Sequence, residues 1–311
     1  MIKKECFTAE WIEQVSSELH YNDKNLIEKV IRALSLLEML VKAGCPLVFK
    51  GGTALMLILG KSAHRLSIDI DLICPPGTNI EDYLKSFADF GFINLELVER
   101  KQRDDADIPK SHSKFFYQIA YRNDTDAQSY ILLDVLYEDI HYFRTQQIAI
   151  NCPFIRLEGK PLMVTVPSAE DILGDKLTAF APNTTGIPYY RNGRSCSMEI
   201  AKQLYDVGRL FENVSDLQIT KEAFRKIAVV ELSYRSFGTD IGQVFNDIRQ
   251  TALCISTRGK AGEGDFDLIQ DGIIRVKSFM YKQRYLIDHA IIDAARAAYL
   301  ATLIEKGINE I

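Results

Sequence analysis

Residues 47–74 read Leu-Val-Phe-Lys-Gly-Gly-Thr-Ala-Leu-Met-Leu-Ile-Leu-Gly-Lys-Ser-Ala-His-Arg-Leu-Ser-Ile-Asp-Ile-Asp-Leu-Ile-Cys, and this stretch decides the fold. An apolar run, Leu47 to Lys50, ends at Gly51-Gly52-Thr53. A short helix, apolar nearly all round and so buried, is expected over Thr53 to Gly60. A second apolar run carries Asp69 and Asp71. Alternate residues of a strand share a face, so a strand over 67–73 would put Ser67, Asp69 and Asp71 on one side. Ile68, Ile70 and Leu72 would take the other. Two like charges held side by side repel each other. A divalent cation removes that conflict, because carboxylate oxygens on a rigid strand are what Mg²⁺ accepts. The pattern points to metal-dependent phosphoryl transfer. A solvated strand end whose carboxylates answer nearby lysines is the plainer reading.

Asp134 strengthens the first reading. It interrupts Tyr130-Ile-Leu-Leu-Asp-Val-Leu136, where a lone carboxylate must find a partner. A cation already held by Asp69 and Asp71 would be one. Three carboxylates on adjacent strands would support one or two Mg²⁺ ions, which neutralise phosphate charge and orient the attacking and leaving oxygens. Gly51 and Gly52 let the backbone approach a ligand closely, and the helix behind them offers free N–H groups and a positive dipole end to phosphate. A glycine pair alone is more often a plain tight turn. No Walker loop is present.

Outward from this centre, an amphipathic helix is expected over 8–20, with Thr8 as its N-cap, and a longer one over 23–42. Gly44 and Pro46 separate that helix from the first strand. Pro75-Pro76-Gly77 forces a turn, and Asn79 then opens a helix that Gly91 stops near residue 90. Strands are expected near 93–100, 114–122, 129–137, 147–156 and 161–166, with a flexible loop over 101–113. After Pro167 the pattern is helical, at 168–181, 197–213, 220–235, 240–256, 265–282 and 284–306. The boundary falls near Pro167, giving units of 1–166 and 167–311.

Length and charge narrow the function. A chain of 311 residues, 47% hydrophobic and 25% charged, has room for a sizeable core. Its formal net charge is −5, so any RNA or DNA binding must come from local basic patches. No run is long enough to span a membrane, and no apolar signal core follows the N-terminal lysines. Six scattered cysteines without a Cys-x-x-Cys pair read as reduced thiols. A cytoplasmic protein without membrane contact is expected.

Gly-Gly-Thr-Ala-Leu, followed by Arg65-x-Ser67-x-Asp69-x-Asp71-Leu72, resembles the nucleotidyltransferase family of the AbiEii and MenT toxins. The resemblance runs from about 47 to 211 and implies an α+β fold. A polymerase-β-like nucleotidyltransferase domain with a mixed sheet would be followed by an α-helical domain that completes the site. Asp134 matches the family's third carboxylate. Lys176, in Asp171-Ile-Leu-Gly-Asp-Lys176-Leu-Thr-Ala179, is similar to its lysine motif. Asp206, in Lys202-Gln-Leu-Tyr-Asp206-Val, is similar to its last acidic motif, although Gln203 departs from the acidic residue often found there.

Local patterning agrees with Lys176. Ser168 caps its helix, and Ile172, Leu173, Leu177 and Phe180 put the lysine on the inward face. A snorkelling surface lysine is the alternative. Patterning does not support Asp206. Ile200, Leu204, Val207 and Phe211 make the apolar stripe and leave Asp206 off it, on the solvated side. Only the resemblance gives it a role, as a positioning carboxylate or base.

The expected site is therefore Asp69, Asp71, Asp134, Lys176 and Asp206 in catalysis, the first three also for metal, and Lys50, Gly51, Gly52, Thr53, Arg65, Ser67 and Lys176 for nucleotide. The resemblance implies Mg²⁺ as cofactor, an NTP as substrate, an RNA acceptor with tRNA 3′ ends foremost, and a cognate antitoxin as partner. Blocked translation would be the outcome. Rivals are a small-molecule (antibiotic) nucleotidyltransferase, an inactive nucleotide-binding partner of an antitoxin, and protein nucleotidylation.

The segment Asn183–Arg194 reads as a mobile loop whose Tyr189, Tyr190, Arg191 and Arg194 could grip phosphate or a base, or as a plain linker. Arg275–Tyr285 reads as a helix surface with a packed aromatic side. The histidines show no metal spacing, and His64 reads as a surface residue.

Overall fold

The computed structural model describes residues 1–98, 110–121, 127–214, 216–234, 238 and 240–309. Two helices open the chain, α1 (Ala9–Glu18) and α2 (Lys24–Lys42). Thr8 caps α1 through a bond from the Trp11 N–H, as its position before the apolar-periodic run requires. Strand β1 (Val48–Lys50) runs directly into α3 (Gly51–Leu59), followed by β2 (Ile70–Cys74), β3 (Asn94–Val98), β4 (Lys110–Gln118) and β5 (Gln128–Tyr137). They form one mixed sheet in the order β1-β2-β5-β4-β3. The β2–β5 pair is parallel and the other pairs are antiparallel. A hairpin of β6 (Thr145–Ala149) and β7 (Met163–Pro167) completes this half.

The sheet has two unlike faces because side chains alternate along each strand. Ile70, Leu72 and Cys74 point with Ile131, Leu133, Val135, Phe115 and Tyr117 into a core shared with the apolar residues of α2. The other face carries the polar residues of β2 and β5.

From Ala169 the chain is almost wholly helical: α4 (Ala169–Ala179), α5 (Ser197–Phe211), α6 (Leu217–Ser233), α7 (Ile241–Ser256), α8 (Phe266–Val276) and α9 (Ile287–Lys306). Their apolar faces build a second core, which Leu55 of α3 joins. Tyr281 crosses the other way, into the first core, edge-to-face on Phe154 at 5.3 Å. The six cysteines are free thiols. No described helix is long and apolar enough to cross a membrane.

Several expectations need correction, among them the strand expected near 147–156, which is found at Thr145–Ala149. The aspartate strand begins at Ile70, not at 67. Its partner β1 stops at Lys50, opposite Asp71, and the chain before it bonds elsewhere: Leu66 N–H to the Phe279 carbonyl, and the Asp69 carbonyl to Thr53. The helix expected over 79–90 is two 3₁₀ turns, Ile80–Tyr83 and Phe87–Phe90. Asn79 donates to the Asp82 side chain there and caps no backbone N–H. The helix expected over 265–282 ends at Val276, because a bridge between Arg65 and Met280 and burial of Tyr281 pull the chain away. Asn183–Arg194 is not wholly a loop. Asn192-Gly193, both with positive φ, turn a small hairpin of β8 (Tyr190–Arg191) and β9 (Arg194–Ser195). The loop expected over 101–113 falls outside the described residues up to 109. Lys110–Ser113 belong to β4.

Candidate active site

One row of side chains crosses the polar face of the sheet. Lys50 on β1 stands opposite Asp71 on β2, Asp71 opposite Asp134 on β5, and Asp134 opposite His112 on β4. Directly paired residues present their side chains on the same face, so sheet register alone sets the row Lys50–Asp71–Asp134–His112. His112 Nδ1 hydrogen-bonds Asp134 Oδ1 and fixes that carboxylate from outside the acidic pair. Sequence reading missed His112, because it fell in the stretch taken for a loop. The alternation of Phe115 and Tyr117 inward was the available signal, since it extends back through Ser113 and leaves His112 on the opposite face.

Charge in this row is unbalanced. Burial, then the negative charges of Asp69 and Asp134, push the Asp71 carboxyl up to about 7, against the pull of Lys50 and Lys176. Burial works against the Lys50 ammonium. The carboxylates of Asp175, Asp71, Glu138 and Glu231 outweigh it and hold Lys50 above the ordinary lysine value. Asp69 lies open to solvent just before β2.

Among the described residues, no three His, Cys, Asp or Glu side chains close on a common point as a preformed metal cluster. The donor chemistry nevertheless fits a hard divalent cation. Burial and, after it, the like charges of Asp69 and Asp134 leave the middle carboxyl protonating near neutral pH, and a cation would offset both.

The Gly-Gly-Thr turn is wedged against the acidic segment. Gly51 has φ +79°, and a Cβ there would stand 2.1 Å from Asp71 Oδ2. A Cβ on Gly52 would meet Ser67 Oγ at 2.7 Å and Arg65 Nη2 at 3.0 Å. Thr53 is buried and donates to the Asp69 carbonyl at 2.7 Å. Lys50, at the N-cap of α3, makes no side-chain cap bond. The first-turn N–H groups of α3 therefore carry no side-chain cap, the arrangement that receives phosphate.

A second cluster lies on the Gly52 and Ser67 side. Asp206 is 1% exposed. It accepts Arg65 Nε at 3.0 Å and Arg65 Nη2 at 2.8 and 2.7 Å, while Lys176 Nζ stands 3.2 Å from Oδ2. This overturns the solvated placement read from the helical wheel. The apolar stripe of α5 is as expected, but α4, α8 and α9 also pack on that helix and close its other sides. Both Asp206 oxygens are engaged, which suits a positioning carboxylate and leaves no lone pair free for a base. Lys176 is buried, as its inward position required, and also donates to Gln203 Oε1 at 2.9 Å.

Lys202 is a further cation on α5. It lies one helical turn before Asp206, with its ammonium 3.8 Å from the centre of the Phe279 ring. Burial and then the Arg65 cation push it down to about 8, against Asp69, Glu199 and Asp206. No carboxylate among the described residues lies within ion-pair distance of it. Arg65 and Lys176 share the single carboxylate of Asp206, whereas Lys202 has no ion pair among the described residues.

A family model described as the AbiEii nucleotidyl transferase toxin of a type IV toxin–antitoxin system matches residues 34–284. No curated protein matches the sequence. Among solved structures, the chain is similar to JHP933 from Helicobacter pylori, at 15% identity over 99% of this chain and 95% of that one, with a TM-score of 0.44. It is also similar to MenT4, a nucleotidyltransferase toxin from Mycobacterium tuberculosis H37Rv, at 14% identity over 94% and 89%, with a TM-score of 0.49. Matched by the family model across most of its length, the chain belongs to the AbiEii family of nucleotidyltransferase toxins.

Proposed function

We propose that this protein moves a nucleoside monophosphate from an NTP to a hydroxyl of an RNA acceptor, with tRNA 3′ ends foremost, and thereby blocks translation until a cognate antitoxin counters it. The observation that carries the proposal is the row Lys50–Asp71–Asp134–His112 with Gly51 pressed against Asp71. The acceptor oxygen bonds to the α-phosphorus, the bond to pyrophosphate breaks, and the hydroxyl proton leaves to solvent. Asp69, Asp71 and Asp134 would hold one or two Mg²⁺ ions, which supply charge neutralisation at the phosphates.

The chain's own groups divide the remaining work. The first-turn N–H groups of α3 and Thr53 cradle phosphate oxygens, and Gly51 and Gly52 let the backbone approach them. Arg65 and Ser67 back the turn. Lys176 and Asp206 hold the helical half against Arg65 and so fix the shape of the triphosphate side. His112 orients Asp134.

The polymerase-β-like classification and a boundary at residue 166 belong to this proposal. The two apolar cores, which separate between Val166 and Ile172, support the boundary. The RNA acceptor is supported by the β8–β9 hairpin. There Tyr190, Arg191 and Arg194 are exposed. The test is incubation of pure protein with each labelled NTP, Mg²⁺ and total tRNA, an aminoglycoside panel or a protein extract. Label on tRNA supports the proposal, and label on either of the others moves the acceptor to that class.

A further inference from the structure

Helix α2 is buried on both of its faces. Its apolar stripe packs on the sheet, and Glu28, Arg32, Ser35 and Glu38, which an amphipathic helix would show to water, are buried too. The N-terminal segment and the 3₁₀ turn at Phe87–Phe90 cover that polar side. They leave a cavity of about 320 Å³ between themselves and the helix, on the side of the sheet away from the aspartate row.

The cavity wall is made of two kinds of surface. Ile2, Phe7 and Phe90 are apolar, and Arg32 and Glu38 are charged. Arg32 is 6% exposed, with its guanidinium between the rings of Phe7 and Tyr117 at 4.8 and 4.9 Å. It donates from Nη1 to the Gly91 carbonyl and from Nη2 to Glu28, and its Nε–H is buried without a partner. Glu38 is 1% exposed. Its Oε2 accepts the Ile2 N–H at 2.9 Å, and its Oε1 is buried without a partner. Lys4 and Asp89, exposed and of opposite charge, stand at the rim.

A buried donor and a buried acceptor left open in one wall are costly, and they imply an occupant that completes both. The Arg32 charge is already met by Glu28, whereas Glu38 has no cation within ion-pair distance among the described residues and feels the Met1 ammonium and Lys42 only at longer range. The occupant must therefore offer an ammonium or other strong donor to Glu38 and an acceptor to Arg32, with an apolar part for Phe7 and Phe90. The rim repeats the same polarity.

We propose that this cavity binds a small amino-acid-like zwitterion, its ammonium on Glu38 Oε1, its carboxylate on Arg32 Nε and Lys4, and its apolar side chain against Phe7 and Phe90. The site is independent of nucleotidyl transfer, because the sheet separates it from the aspartate row.

The test is calorimetric titration and thermal shift of the full chain with the individual proteinogenic amino acids and their simple dipeptides. At least one member with an apolar side chain binds the wild type. Glu38→Gln keeps the shape and loses the charge, and weakens that binding by about ten- to a hundredfold. Ala88→Phe, at the rim and away from both charges, blocks it by filling the mouth. No binding by any member, or equal binding by wild type, Glu38→Gln and Ala88→Phe, overturns the proposal whatever the transfer assay shows.

Discussion

Arg65 donates three hydrogen bonds to Asp206 at 2.7–3.0 Å, across 141 residues of chain, and the pair is buried. Arg65 belongs to the segment that leads into the aspartate strand, and Asp206 to the middle of α5. The helical half is thus tied to the acidic segment by a bidentate ion pair, the strongest geometry such a pair can take. Lys176 joins the same carboxylate from α4.

Removing Asp206 alone leaves two buried cations without their counter-charge. Asp206→Ala should cost about 3–5 kcal/mol in denaturant unfolding. Arg65→Met with Asp206→Leu should cost less than the two single changes summed. A cycle that adds without coupling would show that the pair does not hold the two halves together.

Asp71 makes stability depend on pH in a direction opposite to an ordinary surface aspartate. Its carboxyl ionises near 7 in the fold against 3.8 ordinarily, so the folded chain binds this proton more tightly. The contribution is fully present below pH 3.8 and is lost as pH rises through 7. Asp71→Asn should therefore melt above the wild type at pH 8.5 and close to it at pH 5. Added Mg²⁺ should raise the wild type at pH 8.5 and narrow the gap. A gap that is constant from pH 5 to pH 8.5 would contradict the burial and charge crowding described for Asp71.

Lys202 and Lys176 should separate in kinetics. Lys176 is bound to Asp206 and Gln203, while Lys202 lies over the Phe279 ring with no carboxylate among the described residues within ion-pair distance. Lys202→Met should weaken NTP binding by about ten- to a hundredfold with little change in melting temperature, the loss expected of one charged hydrogen bond to phosphate. Lys176→Met should lower the melting temperature as well, because it strips Asp206 of a partner. Equal nucleotide affinity in wild type and Lys202→Met, measured by equilibrium binding, removes Lys202 from the site.

Gly51→Ala tests the wedge at the turn. The substitution strains a positive φ and drives a Cβ into Asp71 Oδ2. Transfer should fall by more than a hundredfold, with a destabilisation of about 1–3 kcal/mol. Gly60→Ala shares the positive φ but has open space around it, so it should strain the backbone and spare activity.

The centre of this site was readable because its logic is local. A glycine pair, a strand of alternating Ile and Asp, and an aspartate inside an apolar run are all visible within a few residues. Asp206 was not readable from pattern. A helical wheel assumes one buried side, and α5 is covered on several, so a carboxylate off the stripe is buried against Arg65 far along the chain. His112 was hidden for the opposite reason. Its neighbours Ser111 and Ser113 look like loop, and only the register with Asp134 brings it to the row. The start of β2 was misplaced because strand length is set by the partner, and β1 is three residues long. The cysteines and the helices after Pro167, apart from the end of α8, were legible from composition and periodicity alone.

The central claim is that the aspartate row transfers a nucleotide. The direct measurement is label transfer from each NTP to total tRNA by wild type and by Asp69→Ala/Asp71→Ala at equal folded concentration. The account predicts label on tRNA with wild type and none above background with the double variant. No label on tRNA with any NTP, or equal label from the two proteins, would contradict it.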